Sequence, residues 1–134
     1  MIPGETFFGF DIQNHLWVVL TSHDGKGEVA VVNLRTHGRS PTCNLGDCVV
    51  IREGEHEVVT RDSCVYYRKA TTTSGDRLNA TKQRGTLQQL APLAAEVLNR
   101  VQLGAIASDM VAREIQSAIR RTMTEAGDQP QGPG

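Results

Sequence analysis

The sequence has no excess of charge of either sign: its 134 residues carry a formal net charge of −1 at pH 7. A global basic field is therefore absent, and any contact with nucleic acid has to come from a local patch. Cysteine is sparse and odd in number, at positions 43, 48 and 64, with no CxxC pair. That argues against a disulfide framework and against a zinc knuckle. Cys48 and Cys64 fall in apolar runs and read as small core residues, the usage of a reduced, cytoplasmic setting. No apolar run approaches the roughly 20 residues of a membrane span. The first residues lack the basic and apolar segments of a signal peptide, so a soluble intracellular protein is expected. Walker, Rossmann, HExxH and GxSxG signatures are missing. No carboxylate cluster has metal-ligand spacing, so neither a metal nor another cofactor is expected. There is no internal repeat and no linker, and the length suits one domain with one core.

What is present is a series of short apolar runs separated by turn signals. HLWVVL (15–20), EVAVVNL (28–34), DCVVI (47–51) and SCVYY (63–67) have the valine and aromatic content of strands. HDGKG, HGRSP and REGEH lie between them, and Asp24-Gly25 is a hairpin signal. TFFGF (6–10) reads as a first strand, with Gly9 marking a bulge or a close backbone approach. EVAVVNL is apolar at consecutive positions and reads as a central strand. Residues 35–46 read as a long polar loop, and residues 71–86 as a polar, strand-poor stretch. The expected fold is mainly β: a small barrel over about 3–86, with one or two C-terminal helices.

The period changes after Leu90. Leu90, Ala94, Val97, Leu98 and Val101 are spaced by three and four, one face of a helix. Pro92 suits a first helical turn. Ala107, Met110, Val111, Ile115, Ala118 and Ile119 form a second amphipathic stretch. The spacing predicts either helices over about 90–103 and 105–122, broken at Gly104, or one helix from 92 to about 122 with a weak point there. The domain then spans 1–123, and the Gly-, Pro- and Gln-rich segment 124–134 reads as a disordered tail. The second helix has two candidate places: against a partner subunit, or folded back on the first.

Chemistry is concentrated at the strand mouths. His15 and His56 are a candidate acid–base pair for RNA strand cleavage, since imidazole titrates near neutrality. The alternative is that His15 closes a strand edge and His56 is a solvated turn residue. In NLRTHGR (33–39), Thr36 supplies a hydroxyl, and Arg35, His37 and Arg39 supply cationic donors for phosphate oxygens, the alternative being an ordinary hairpin loop. Between Arg61 and Arg84, six basic residues stand against two acidic ones, with Tyr66 and Tyr67 among them. Arg68, Lys69 and Tyr67 are candidates to hold a single strand by charge and stacking. In a strand only one of the two tyrosines lines a given face. A solvated face balancing the acidic 53–57 segment is the plain alternative.

The order PGETFFGF, HLWVVLTS, EVAVVNLRT, RDSCVYYRKATTTSGDRL and LAPLAAEVLNRV resembles the MazF/PemK-like toxins of toxin–antitoxin modules, over about residues 3–103. The resemblance implies an SH3-like barrel, a homodimer, and cleavage of single-stranded RNA without metal. It implies a cognate antitoxin or other protein partner as well. Thr36 matches the family's hydroxyl at a strand end, and Ser63 matches the serine opening a later strand. The family's Arg-Pro pair has no counterpart: His15 stands where the catalytic arginine is expected, after a shorter loop. The implied site is thus His15, Thr36 and His56 for catalysis, with Arg35, Arg39, Ser63, Tyr67, Arg68 and Lys69 on the RNA. A non-catalytic nucleic-acid- or protein-binding module of the same fold, in a mobile-element or defence system, is the alternative function.

Overall fold

Consecutive buried residues along 29–34 place a strand in the middle of the molecule. The computed structural model, which describes residues 2–11, 14–36 and 49–128, bears this out. β1 (Thr6–Phe8), β2 (Trp17–Val19), β3 (Glu28–Thr36), β4 (Val50–Ile51), β5 (Ser63–Ser74) and β6 (Gln88–Leu90) form one antiparallel sheet. Its order is β4-β5-β3-β2-β1-β6, curled into a half-barrel. Three helices accompany it: α1 (Gly75–Gln83), α2 (Ala95–Ala107) and α3 (Arg113–Asp128).

Both sheet faces are apolar at the centre, as the period-two alternation requires when each face is covered. On one face Leu16, Val18, Leu20, Ala30, Val32, Leu34, Val65 and Tyr67 pack against Val97, Val101 and Ala105 of α2 and Ile115 and Ile119 of α3. On the other, Phe7, Trp17, Val19, Val29 and Val31 pack against Leu78 of α1 and Leu87. Burying a side chain of this kind is worth about 1.5–3 kcal/mol, so the sheet is held from both sides.

Gly9 makes the close backbone approach expected of it. Its φ is +92°, and a Cβ there would lie 2.1 Å from the Thr86 carbonyl oxygen. The register between β3 and β5 breaks once. Val31 pairs with Thr71 and Asn33 with Tyr66, so four residues of β5 (67–70) oppose Val32 alone. This bulge leaves Arg68 and Lys69 exposed.

Several expectations are corrected. The polar, strand-poor 71–86 stretch carries regular structure: Thr71–Ser74 continue β5, and Gly75–Gln83 form α1. Only Gly75 and Leu78 of α1 are buried, so it carries no apolar stripe to betray it. Its start is set by Ser74, whose hydroxyl accepts from the Arg77 N–H. The long helix does not break at Gly104. α2 runs through it to Ala107, and the break comes at 108–112. α3 continues to Asp128, through residues 124–128 that read as tail. It folds back on α2, where the Gln116 side-chain amide donates to the carbonyls of Ala105, Ile106 and Ser108 and closes the C-terminus of α2. Cys64, fully buried, is disulfide-bonded rather than a free core thiol. Cys43, Cys48 and most of the 35–46 loop lie outside the described residues.

Gly104 is inside a helix because the sheet comes too close for a side chain. A Cβ there would meet the Tyr67 hydroxyl at 2.3 Å and Val49 Cγ2 at 2.4 Å. Gly104→Ala is therefore expected to destabilise by about 1–3 kcal/mol through overpacking, against the roughly 1 kcal/mol that alanine gains in an open helix. Urea unfolding measures the sign, and a stabilised variant would contradict this packing.

Candidate active site

The rim of the half-barrel at the start of β2 is built by a tight segment after β1. Asn14 adopts φ +56°, and its side-chain oxygen accepts from the Gly9 N–H at 2.9 Å. The Asn14 N–H donates to the Asp11 carbonyl at 3.1 Å. Asp11 is thereby aimed at the residue leading into β2. One carboxylate oxygen accepts from the His15 backbone N–H at 2.9 Å, and the other lies 2.6 Å from His15 Nδ1. Against a carboxylate, Nδ1 is the nitrogen that carries the proton, which leaves Nε2 as the nitrogen not engaged by Asp11.

Burial pushes the Asp11 carboxyl up. The hydrogen bonds from the His15 side chain and backbone outweigh that, helped by the Trp17 indole N–H and the His15 charge, and the carboxyl ends below its ordinary value. The indole acts from outside hydrogen-bond geometry.

His15 borders a cavity of about 430 Å³ at the strand mouths. The Leu34 N–H donates to the Leu16 carbonyl, and Trp17 pairs with Asn33. Continuing that ladder sets His15 next to Arg35. Arg35, Arg61 and Ser63 line the same cavity, with Phe8 and Val58 among its apolar walls. Thr36 faces Ser63 across the β3–β5 ladder. The structure thus brings His15, Arg35 and Ser63 together and puts the Thr36 backbone beside them.

Other expected residues are elsewhere. His56 is neither solvated nor in the cavity lining. It is buried, its Nε2–H donates to the Ala91 carbonyl at 2.6 Å, and its Nδ1 accepts from the Val58 N–H at 3.3 Å. With both ring nitrogens engaged, it serves the fold rather than proton transfer. Tyr67 is buried too, its hydroxyl donating to the Val101 carbonyl at 2.7 Å, so it is a core residue and not an RNA platform. Arg68 and Lys69 lie on the β5 bulge, outside the cavity lining. His37 and Arg39 lie outside the described residues.

The sequence reading missed Asp11. The signal available was the Asp-x-x-x-His spacing ahead of an apolar run, which is short enough for a side chain to reach back. It also did not single out Arg61 for the cavity. Among the described residues no three His, Cys, Asp or Glu side chains gather as a metal-binding group. No protein-family model and no curated protein matches the chain.

The lowered Asp11 pKa makes a pH-dependent contribution to stability. A carboxyl whose folded pKa lies below its unfolded value stabilises above the unfolded value, near 3.8, and loses that contribution as pH falls through the folded one. Both side chains are about a quarter exposed, 26% for Asp11 and 21% for His15, so solvent screening limits the effect to about 1 kcal/mol or less. Asp11→Asn is expected to be less stable than wild type at pH 6, with the gap closing below pH 3.8. Denaturant unfolding across that range checks it, and a gap that widens in acid would contradict the pairing.

Proposed function

We propose that the protein is a toxin-like endoribonuclease that cuts single-stranded RNA without a metal. The observation that carries this reading is the Asp11–His15 pair at the mouth of a cavity that Arg35 and Ser63 also line. A general base has to present an unprotonated nitrogen to the proton it removes, and the carboxylate on Nδ1 selects that state at Nε2. In the reaction His15 Nε2 takes the 2′-hydroxyl proton. The 2′-oxygen attacks phosphorus and the 5′-oxygen leaves, taking a proton from solvent. The products are a 2′,3′-cyclic phosphate and a 5′-hydroxyl. Arg35 and Arg61 balance charge on the phosphate oxygens. Thr36 and Ser63 supply hydroxyls at the same strand ends.

The MazF/PemK-like resemblance supports the same reading, since it implies roles for Thr36 and Ser63. On this reading the partners are single-stranded RNA, a second copy of the chain, and a cognate antitoxin or other protein. The location is cytoplasmic, where the Cys64 disulfide would be a redox-sensitive feature and not a permanent staple. On the same reading the curled sheet is an SH3-like barrel left half open. None of the three helices is long and apolar enough to cross a membrane among the described residues. The presence of His15 where the family has arginine favours a second reading, a non-catalytic RNA- or protein-binding module.

Incubation of single-stranded RNA with wild type and His15→Ala in EDTA separates the two. Cleavage by wild type to cyclic-phosphate ends is expected, with the variant slower by a factor on the order of 100 or more. Equal rates, or no cleavage by either protein, would remove the catalytic reading.

A further inference from the structure

The sheet face next to His15 carries polar groups that the proposed reaction does not use. Trp17 on β2, Asn33 on β3 and Tyr66 on β5 are register partners, so they form one row across three strands on one face. Arg35 lies two residues along β3 on that same face, its guanidinium carbon 3.9 Å from the centre of the Tyr66 ring. Asn33 is 1% exposed, and its Oδ1 has no hydrogen-bond partner among the described residues. Arg35 Nε, and the Trp17 indole nitrogen in the same row, are two further buried polar atoms without one. An interior amide oxygen left without a donor costs stability, and an apolar residue of similar shape would avoid that cost. The row is therefore poor as packing and suited to recognition. A guanidinium centred over a tyrosine ring also makes the ring contact that a nucleobase would make.

We infer that Tyr66 and Asn33 form a subsite for one unpaired nucleobase of a single-stranded RNA, and that the Arg35 guanidinium occupies the base's place on the ring in the free protein. On binding, Arg35 leaves the ring for the phosphate. The base stacks on Tyr66, and an N–H on its pairing edge donates to Asn33 Oδ1. Tyr66 is half-buried and open to this exchange, whereas its neighbour Tyr67 is committed to the core. The subsite lies one row behind His15, which places the recognised base beside the cavity that would hold the reacting phosphate. This inference rests on the RNA reading above but not on cleavage.

The test is fluorescence anisotropy of the full chain with four 2′-O-methyl hexanucleotides, one for each base, which cannot be cut because the 2′-oxygen is blocked. Wild type is expected to separate the four by about tenfold. Tyr66→Leu should bind about tenfold more weakly and Tyr66→Phe about as well as wild type, since stacking of one base is worth that much. Asn33→Leu should reduce the spread among the four to about threefold or less, with a melting temperature at or above that of wild type. A wild-type base preference that survives both Tyr66→Leu and Asn33→Leu overturns the subsite and leaves the RNA reading standing. An Asn33→Leu protein that melts lower and keeps the preference assigns Asn33 to the fold and also overturns it. Binding of none of the four by wild type removes the subsite and the RNA reading together.

Discussion

The pairing of β3 with β2 on one side and β5 on the other sets the positions of His15, Arg35, Thr36 and Ser63 along the rim of the candidate site. β3 is buried on both faces through Val29–Leu34, so a one-residue slip would exchange two packed side-chain sets and turn Asn33 and Arg35 toward the α2–α3 layer. With the register locked, the polar end of the strand has no freedom of its own. Asn33, Arg35 and the Thr36 backbone are delivered to the rim beside Trp17, Tyr66 and Ser63. The site is thus a by-product of core packing at the other end of the same strand. That is a common economy, in which rigid elements position reacting groups more accurately than loops do.

The walls of the cavity are held with comparable care. The 52–59 segment, which contributes Val58 and Val59 to the cavity, is tied down at three places. Arg100 on α2 bonds Glu55 at 2.6 Å and the Val50 carbonyl. The Arg100 hydrogen bond holds the Glu55 carboxyl below its ordinary value, with the Arg52 backbone N–H adding to it. Ala91 receives His56 and Thr6 on its carbonyl, and its N–H donates to Glu57. His56 therefore matters to the site by fixing a wall of it, a role for which its buried position and two engaged nitrogens suit it. The α2–α3 layer behind the sheet adds rigidity: α3 closes the C-terminus of α2 through Gln116 and docks on the β2–β3 connection, where the Ser22 N–H meets the Thr122 hydroxyl.

Much of the sheet was legible in the sequence because its strands obey simple rules. Val, Ile and aromatic runs bounded by Asp-Gly and Gly turns marked β1, β2, β3 and the start of β5, and the doubly apolar β3 marked the centre. The helical period was plain from Ala94 onward, but Leu90, expected on the helix face, closes β6, and Pro92 lies in the connection before α2 starts at Ala95. The parts that escaped are those governed by tertiary contact. α1 has one apolar anchor, Leu78, and forms on a serine cap and a neighbouring sheet, not on a stripe. Gly104 looked like a helix break because glycine lowers helix propensity, yet its true constraint is the approach of Tyr67 and Val49. In the site, His15, Arg35 and Ser63 could be named as rim residues from strand ends alone. Asp11 could not, since its role depends on an Asn14 backbone conformation and a reach-back of four residues. His56 and Tyr67 were misassigned because burial of a polar residue leaves no trace in local sequence.

Proton abstraction by His15 requires Asp11 to hold the ring with its proton on Nδ1. Nitrogen-15 NMR of the imidazole side chains reads this directly, because protonated and bare ring nitrogens of neutral histidine resonate far apart. Neutral His15 is expected to carry its proton on Nδ1, with Asp11→Asn releasing the ring to a mixture of both tautomers. A His15 found protonated on Nε2, or unchanged when the carboxylate is removed, would contradict the account.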